Sequence, residues 1–121
     1  MEVFRKVEKS QVYKKEYEKL SNIFKDVEDN QRELVQGLIE DAAFLYAENH
    51  GLKEIMKDTG MVKVHPTNKS LQKTFESSKQ FLKNVNTYAT VIKTLNSILN
   101  RNAIEEDDAF DKWIKEKQQA K

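Results

Sequence analysis

The chain has 121 residues, of which 38% are hydrophobic and 34% charged, and its formal net charge is +1. Such a length suits one domain, or a core with appendages, and three glycines and one proline favour few, long helices over many turns. The lack of cysteine excludes a disulfide framework and a thiolate metal site. No run of about 18 apolar residues could cross a bilayer, and Met1–Lys6 has no signal-peptide core. A cytoplasmic protein with no membrane partner is expected.

Residues 2–27 read as a first helix, because Tyr13, Tyr17, Leu20, Phe24 and Val27 recur at spacings of three and four. Asp29 or Asn30 can cap the next helix, and Glu33 completes a capping-box spacing from Asn30. From Asn30 to Thr59 the stripe Leu34, Leu38, Ala42, Leu45, Leu52 and Met56 predicts a long second helix, flanked by Val35, Ile39 and Tyr46. Gly37 lies inside it, either where another helix approaches closely or through simple tolerance. Gly60 is the expected stop. Pro66 biases His65 away from the helical region, so 61–65 should be extended. A third helix from Thr67 or Asn68 to about Asn100 is then carried by Leu71, Phe75, Ser78, Leu82, Val85, Ala89, Ile92 and Leu99. Asn100–Arg101–Asn102 should end it, and a short fourth helix should follow from Glu105 to Gln119, with Phe110, Trp113 and Ile114 on one side.

The expected architecture is therefore all-α. A long antiparallel helical hairpin (residues 30–101) is preceded by a basic N-terminal helix (1–29) and followed by an acidic, aromatic segment (102–121). A chain this polar buries only a thin core alone, so its wide apolar stripes should pack against other copies. Leu38, Phe44, Leu45, Phe81, Val85, Tyr88 and Ile92 are the candidate oligomer interface. Phe44 falls on the acidic side of its helix, where an exposed ring suits a subunit contact.

Charge is segregated along the chain. Residues 26–60 carry 9 acidic and 3 basic side chains, whereas residues 61–101 carry 7 basic and 1 acidic. If 67–101 is one helix, Lys69, Lys73, Lys79, Lys83, Lys93 and Arg101 fall within about 160° of arc at 100° per residue. Such a stripe suits a phosphate backbone. It equally suits an ordinary solvated face, or pairing with Glu33, Glu40, Asp41, Glu48, Glu54 and Asp58 of the second helix. Lys69, Lys73, Lys79 and Lys83, with Arg5, Lys6 and Lys9 of the first helix, are the candidate DNA contacts. Phe110, Trp113 and Ile114 would either anchor in a partner's groove or fold back on the hairpin.

Catalysis finds no support in the sequence. His50 and His65 have no nucleophile or metal-ligand spacing beside them, and there is no Gly-rich phosphate loop. No enzyme activity, cofactor or metal is expected.

The stretch 31–100 resembles a family of bacteriophage terminase small subunits, the DNA-recognising components of packaging motors. The resemblance rests on a helix bearing Leu38, Leu45-Tyr46 and Leu52, then Gly60, a link, His65-Pro66 and a long lysine- and leucine-rich helix. The link reads as short and lacks that family's Asn-Gly turn. The resemblance implies an all-α ring that binds double-stranded viral DNA and recruits the terminase large subunit, which carries the ATPase and nuclease. The alternative is a helical adaptor or assembly chaperone that binds protein alone.

Overall fold

The computed structural model describes residues 2–119, with side chains over 8–101 and 110–117. Three helices account for most of it: α1 (Glu2–Ile23), α2 (Arg32–Thr59) and α3 (Glu76–Gln119). Strands β1 (Val62–Val64) and β2 (Gln72–Thr74) form a small antiparallel ribbon between α2 and α3. The fold is all-α apart from this ribbon. No helix among the described residues is long and apolar enough to cross a membrane.

Helix α2 is the middle of the bundle, and α1 and α3 both pack along it. Near the start of α2, Val35, Ile39 and Ala42 meet Leu20, Phe24 and Val27 from the α1 end and Leu95 and Ile98 from α3. At the other end, Lys9 of α1 reaches Glu48, and Ser78 of α3 lies against Met56. Both neighbours therefore run antiparallel to α2. The periodic stripes account for this core: Leu95 and Ala42 are fully buried, and Tyr17, Leu38, Tyr88, Val91, Ile92 and Leu99 close over it. Ala42, Ala43 and Ala47 are small residues at the centre of α2, which lets neighbouring helices approach.

Between α1 and α2, a 3-10 turn over Asp29–Gln31 occupies the expected cap, and neither flank of it has a side-chain cap. Phe24 and Val27, beyond the end of α1, still bury the tail of its apolar stripe. Gly60 ends α2 with φ 73° and ψ −176°, a conformation essentially reserved for glycine, while its N–H donates to Met56 O at 2.8 Å.

The structure corrects the sequence-based boundaries in two places. Residues 67–75 are not the first turns of the third helix: Gln72–Thr74 pairs with Val62–Val64, and α3 starts at Glu76. Val62 and Val64 are β-branched and favour the strand. His65 and Asn68 bond the backbone N–H groups that a helix would use. There is also no separate fourth helix, because α3 passes through Asn100–Arg101–Asn102 unbroken. Those residues cost a helix a few tenths of a kcal/mol each and include neither Gly nor Pro. The side chains of Glu105–Asp108 and Ala109 lie outside the described residues.

Candidate nucleic-acid interface

The end of the bundle where α2 gives way to α3 carries the ribbon. Its root is fixed by Met61, whose carbonyl accepts the Phe75 N–H at 3.2 Å and the Ser78 hydroxyl at 2.7 Å. Ser78 is fully buried, so this bond ties the ribbon to the first turn of α3. Beyond the root, every residue from Gly60 to Lys73 is exposed. The tip is nonetheless ordered by its own side chains. His65 Nδ1 accepts the backbone N–H groups of Thr67 (3.2 Å) and Asn68 (3.1 Å), and Asn68 Oδ1 accepts the N–H (3.2 Å) and hydroxyl (2.6 Å) of Ser70. His65 N–H donates to Leu71 O at 3.0 Å, and Leu71 N–H to Asn68 O at 3.0 Å.

The predicted lysines fall on this arm and on the adjoining helix. Lys69 stands in the tip and Lys73 in β2, directly opposite Lys63 of β1. The single helical arc of six cations is thereby overturned: only Lys79, Lys83, Lys93 and Arg101 lie on α3. Lys63 is not among the sequence candidates, because it comes beside Lys73 only through strand pairing across ten residues. Pairing with α2 acids, the competing explanation of the basic stripe, is not what the structure contains. Among the described residues, no basic side chain of 61–101 makes an ion pair with α2, and Lys79 pairs with Glu76 in its own turn at 3.3 Å. Lys63, Lys69, Lys73, Lys83 and Lys93 are exposed and have no acidic partner among the described residues.

Two of the α2 acids are engaged elsewhere, whereas Glu33, Glu40, Asp41 and Asp58 make no ion pair among the described residues. Glu48 binds Lys9 at 3.2 Å, which places that candidate DNA contact in an α1–α2 clasp. His50 Nε2 lies 2.7 Å from Glu8 Oε1, and Glu54 holds Lys57 at 2.8 Å. The Lys57 ammonium draws the Glu54 carboxyl below its ordinary value. Glu8, His50 and Glu54 have ligand atoms within 4.8 Å of one another, a grouping that could touch a metal ion. Each already has a protein partner, so the group reads as a clasp. The side chains of Arg5 and Lys6 lie outside the described residues.

The candidate oligomer residues divide. Leu38, Tyr88 and Ile92 pack onto the chain's own core, Leu45 and Phe81 are half-buried, and Phe44 and Val85 are exposed. Phe81, Val85 and Tyr88 line a cleft of about 210 Å³ between α2 and α3, together with Tyr46, Asn49, His50 and Lys53. Asn49 Oδ1 is buried there without a partner. The Tyr88 hydroxyl donates to the buried Glu16 carboxylate at 2.8 Å, and burial together with that bond pushes the phenol well above its ordinary value. Near the end of α3, Phe110 and Trp113 stack at 6.1 Å with both rings exposed, Lys117 Nζ sits 4.4 Å over the indole, and Ile114 is half-buried.

Fold and site together define a class: a three-helix all-α protein presenting an acid-free basic ribbon at one end and an exposed aromatic pair near the end of its longest helix. Comparisons with protein-family models, with curated proteins and with solved structures find no match.

Proposed function

We propose that this protein is a terminase small subunit: a non-catalytic, homo-oligomeric component that binds double-stranded viral DNA and recruits the large ATPase/nuclease subunit in the host cytoplasm. The observation that carries the reading is the set of exposed lysines at 63, 69, 73, 83 and 93, none with an acidic partner among the described residues. Had they paired with the acidic α2, the charge segregation would have had a structural account. Left uncompensated, they supply phosphate contacts whose affinity falls with salt. A ring would multiply this modest charge into a strong field, so a subunit of net charge +1 can still hold DNA. Exposed Phe44 and Val85 supply apolar surface for the ring, and Phe110, Trp113 and Ile114 supply an aromatic anchor for the large subunit.

Solution mass by light scattering, with and without duplex DNA at low and moderate salt, tests this reading. The expected result is a uniform multimer that takes up DNA and releases it as salt rises. A monomer or dimer indifferent to DNA at both salts overturns it.

A further inference from the structure

We propose that the β1–β2 ribbon is the DNA-reading element, entering the major groove with Lys63 and Lys73 on phosphates and the 65–70 tip at the base edges. This inference rests on the DNA-binding reading above and adds the element that does the reading.

Three observations carry it. The first is shape. The major groove is about 12 Å wide and about 8.5 Å deep and admits a two-stranded ribbon. Four residues of extended chain, Val62 to His65, reach roughly 13 Å at about 3.3 Å each, so the arm is long enough to touch the groove floor. Its exposure from Gly60 to Lys73 leaves it standing clear of the bundle.

The second is charge. Residues 61–75 contain Lys63, Lys69, Lys73 and His65 and no acid. Lys63 and Lys73 are direct cross-strand partners, an arrangement in which like charges repel. Glu76, the nearest acid in sequence, is held by Lys79. Neither lysine of the pair makes an ion pair among the described residues, so an incoming phosphate would relieve their repulsion.

The third is hydrogen-bonding sense. With Nδ1 accepting two backbone N–H groups, neutral His65 carries its proton on Nε2 and presents a donor. Asn68 uses its Oδ1 on Ser70, which fixes the amide orientation and leaves the NH₂ as a donor. With the lysine ammoniums, the arm is rich in donors, and phosphates and the guanine edge in the major groove are acceptors. The preformed tip bonds mean little ordering is needed on binding. Exposed Val62, Val64 and Leu71 would also suit a membrane surface, but the tip between them is Thr67, Asn68, Lys69 and Ser70, which does not insert into lipid.

The test uses the full chain and fluorescence anisotropy with a random-sequence duplex, the same duplex bearing bulky pyrimidine 5-substituents that fill the major groove, and anionic vesicles. Wild type is compared with the double variant Lys63→Gln/Lys73→Gln and with a chain in which 62–74 is replaced by a Gly-Ser link, both checked for helical content. The inference expects at least tenfold tighter wild-type binding to the open duplex than to the filled one. It also expects the double variant's salt slope to fall by about 2, near 0.9 for each lost phosphate contact. If wild type binds the duplex and the link variant binds equally well with the same slope, the ribbon is not the reader while the DNA-binding reading survives. If wild type ignores the duplex at every salt, both fail. Equal binding to open and filled duplexes, or ribbon-dependent binding to vesicles alone, also overturns the inference.

Discussion

The bundle and the ribbon are built from the same residue types to opposite ends. In the bundle, leucine and isoleucine build a core, with Leu95 fully buried and Ile98 nearly so, even though Ile23, Leu34 and Leu82 on its outer faces stay exposed. In the ribbon, Leu71 is 56% exposed and Val64 44% exposed, and each strand is only three residues long. The charges differ in the same way. Two charged contacts, Lys9–Glu48 and Glu8–His50, clasp α1 to α2 in the bundle, whereas the ribbon sets Lys63 against Lys73. Surface that neither buries its apolar atoms nor balances its charge gives the fold little, and such surface is where a partner gains most.

The sharpest test of that contrast is to remove the same side chain from each region. Leu95→Ala should cost about 2 to 5 kcal/mol in denaturant unfolding, because it opens a cavity in a fully packed site. Leu71→Ala should change stability by less than about 0.5 kcal/mol. A comparable loss at both positions would mean that Leu71 is covered in solution, for instance by another copy.

The next effect lies at the buried contact between the Glu16 carboxylate and the Tyr88 phenol. Tyr88→Phe removes the donor to Glu16, which is 4% exposed, and keeps Lys19 at 3.2 Å. The expected loss is about 1 to 3 kcal/mol, the range for a buried acceptor deprived of a partner. The pH dependence carries its own signature. Tyr88 holds its proton more tightly folded than unfolded, so the folded state binds more protons above the ordinary phenol value of 10.0. Its contribution is full below that pH and is lost as pH rises further. Wild type should thus lose more stability than Tyr88→Phe on going from neutral to strongly alkaline buffer, as read by thermal melts. Equal losses in the two proteins would remove this role from the hydrogen bond.

The helices of the bundle were legible in the sequence because their apolar spacing is local, and α2 runs to Thr59 as its stripe predicts. What could not be read locally was pairing. Nothing near Lys63 announces Lys73, and nothing near His50 announces Glu8, 42 residues away. The extended first strand follows from Pro66, but the second half of the ribbon reads as helix because Leu71 and Phe75 continue the spacing of α3, while the side-chain bonds of His65 and Asn68 that divert this backbone depend on turn geometry. Gly37 illustrates the converse. An added Cβ there meets nothing within 4 Å, so the chain's own fold gives no close approach to explain it. At Gly51 a Cβ would come within 2.8 Å of Lys9 Cε, where the stem of the clasp lysine crosses α2.

The smallest expected effect is also the one with an informative sign. Lys63→Gln removes one member of a like-charged cross-strand pair, so without DNA it should raise melting temperature slightly. The rise should shrink in high salt, because exposed charges are screened within roughly 8 to 10 Å at moderate ionic strength. The same substitution should weaken duplex binding and lower its salt slope by about 1. A residue kept only for the fold would move both quantities the same way. Opposite movement of stability and binding, read from melts and anisotropy on one preparation, would show that the ribbon carries its paired lysines at a cost to its own stability and for the sake of an anionic partner. If Lys63→Gln destabilises the protein, the lysine stem is packing on the ribbon, and the contrast between the two regions is smaller than their charges suggest.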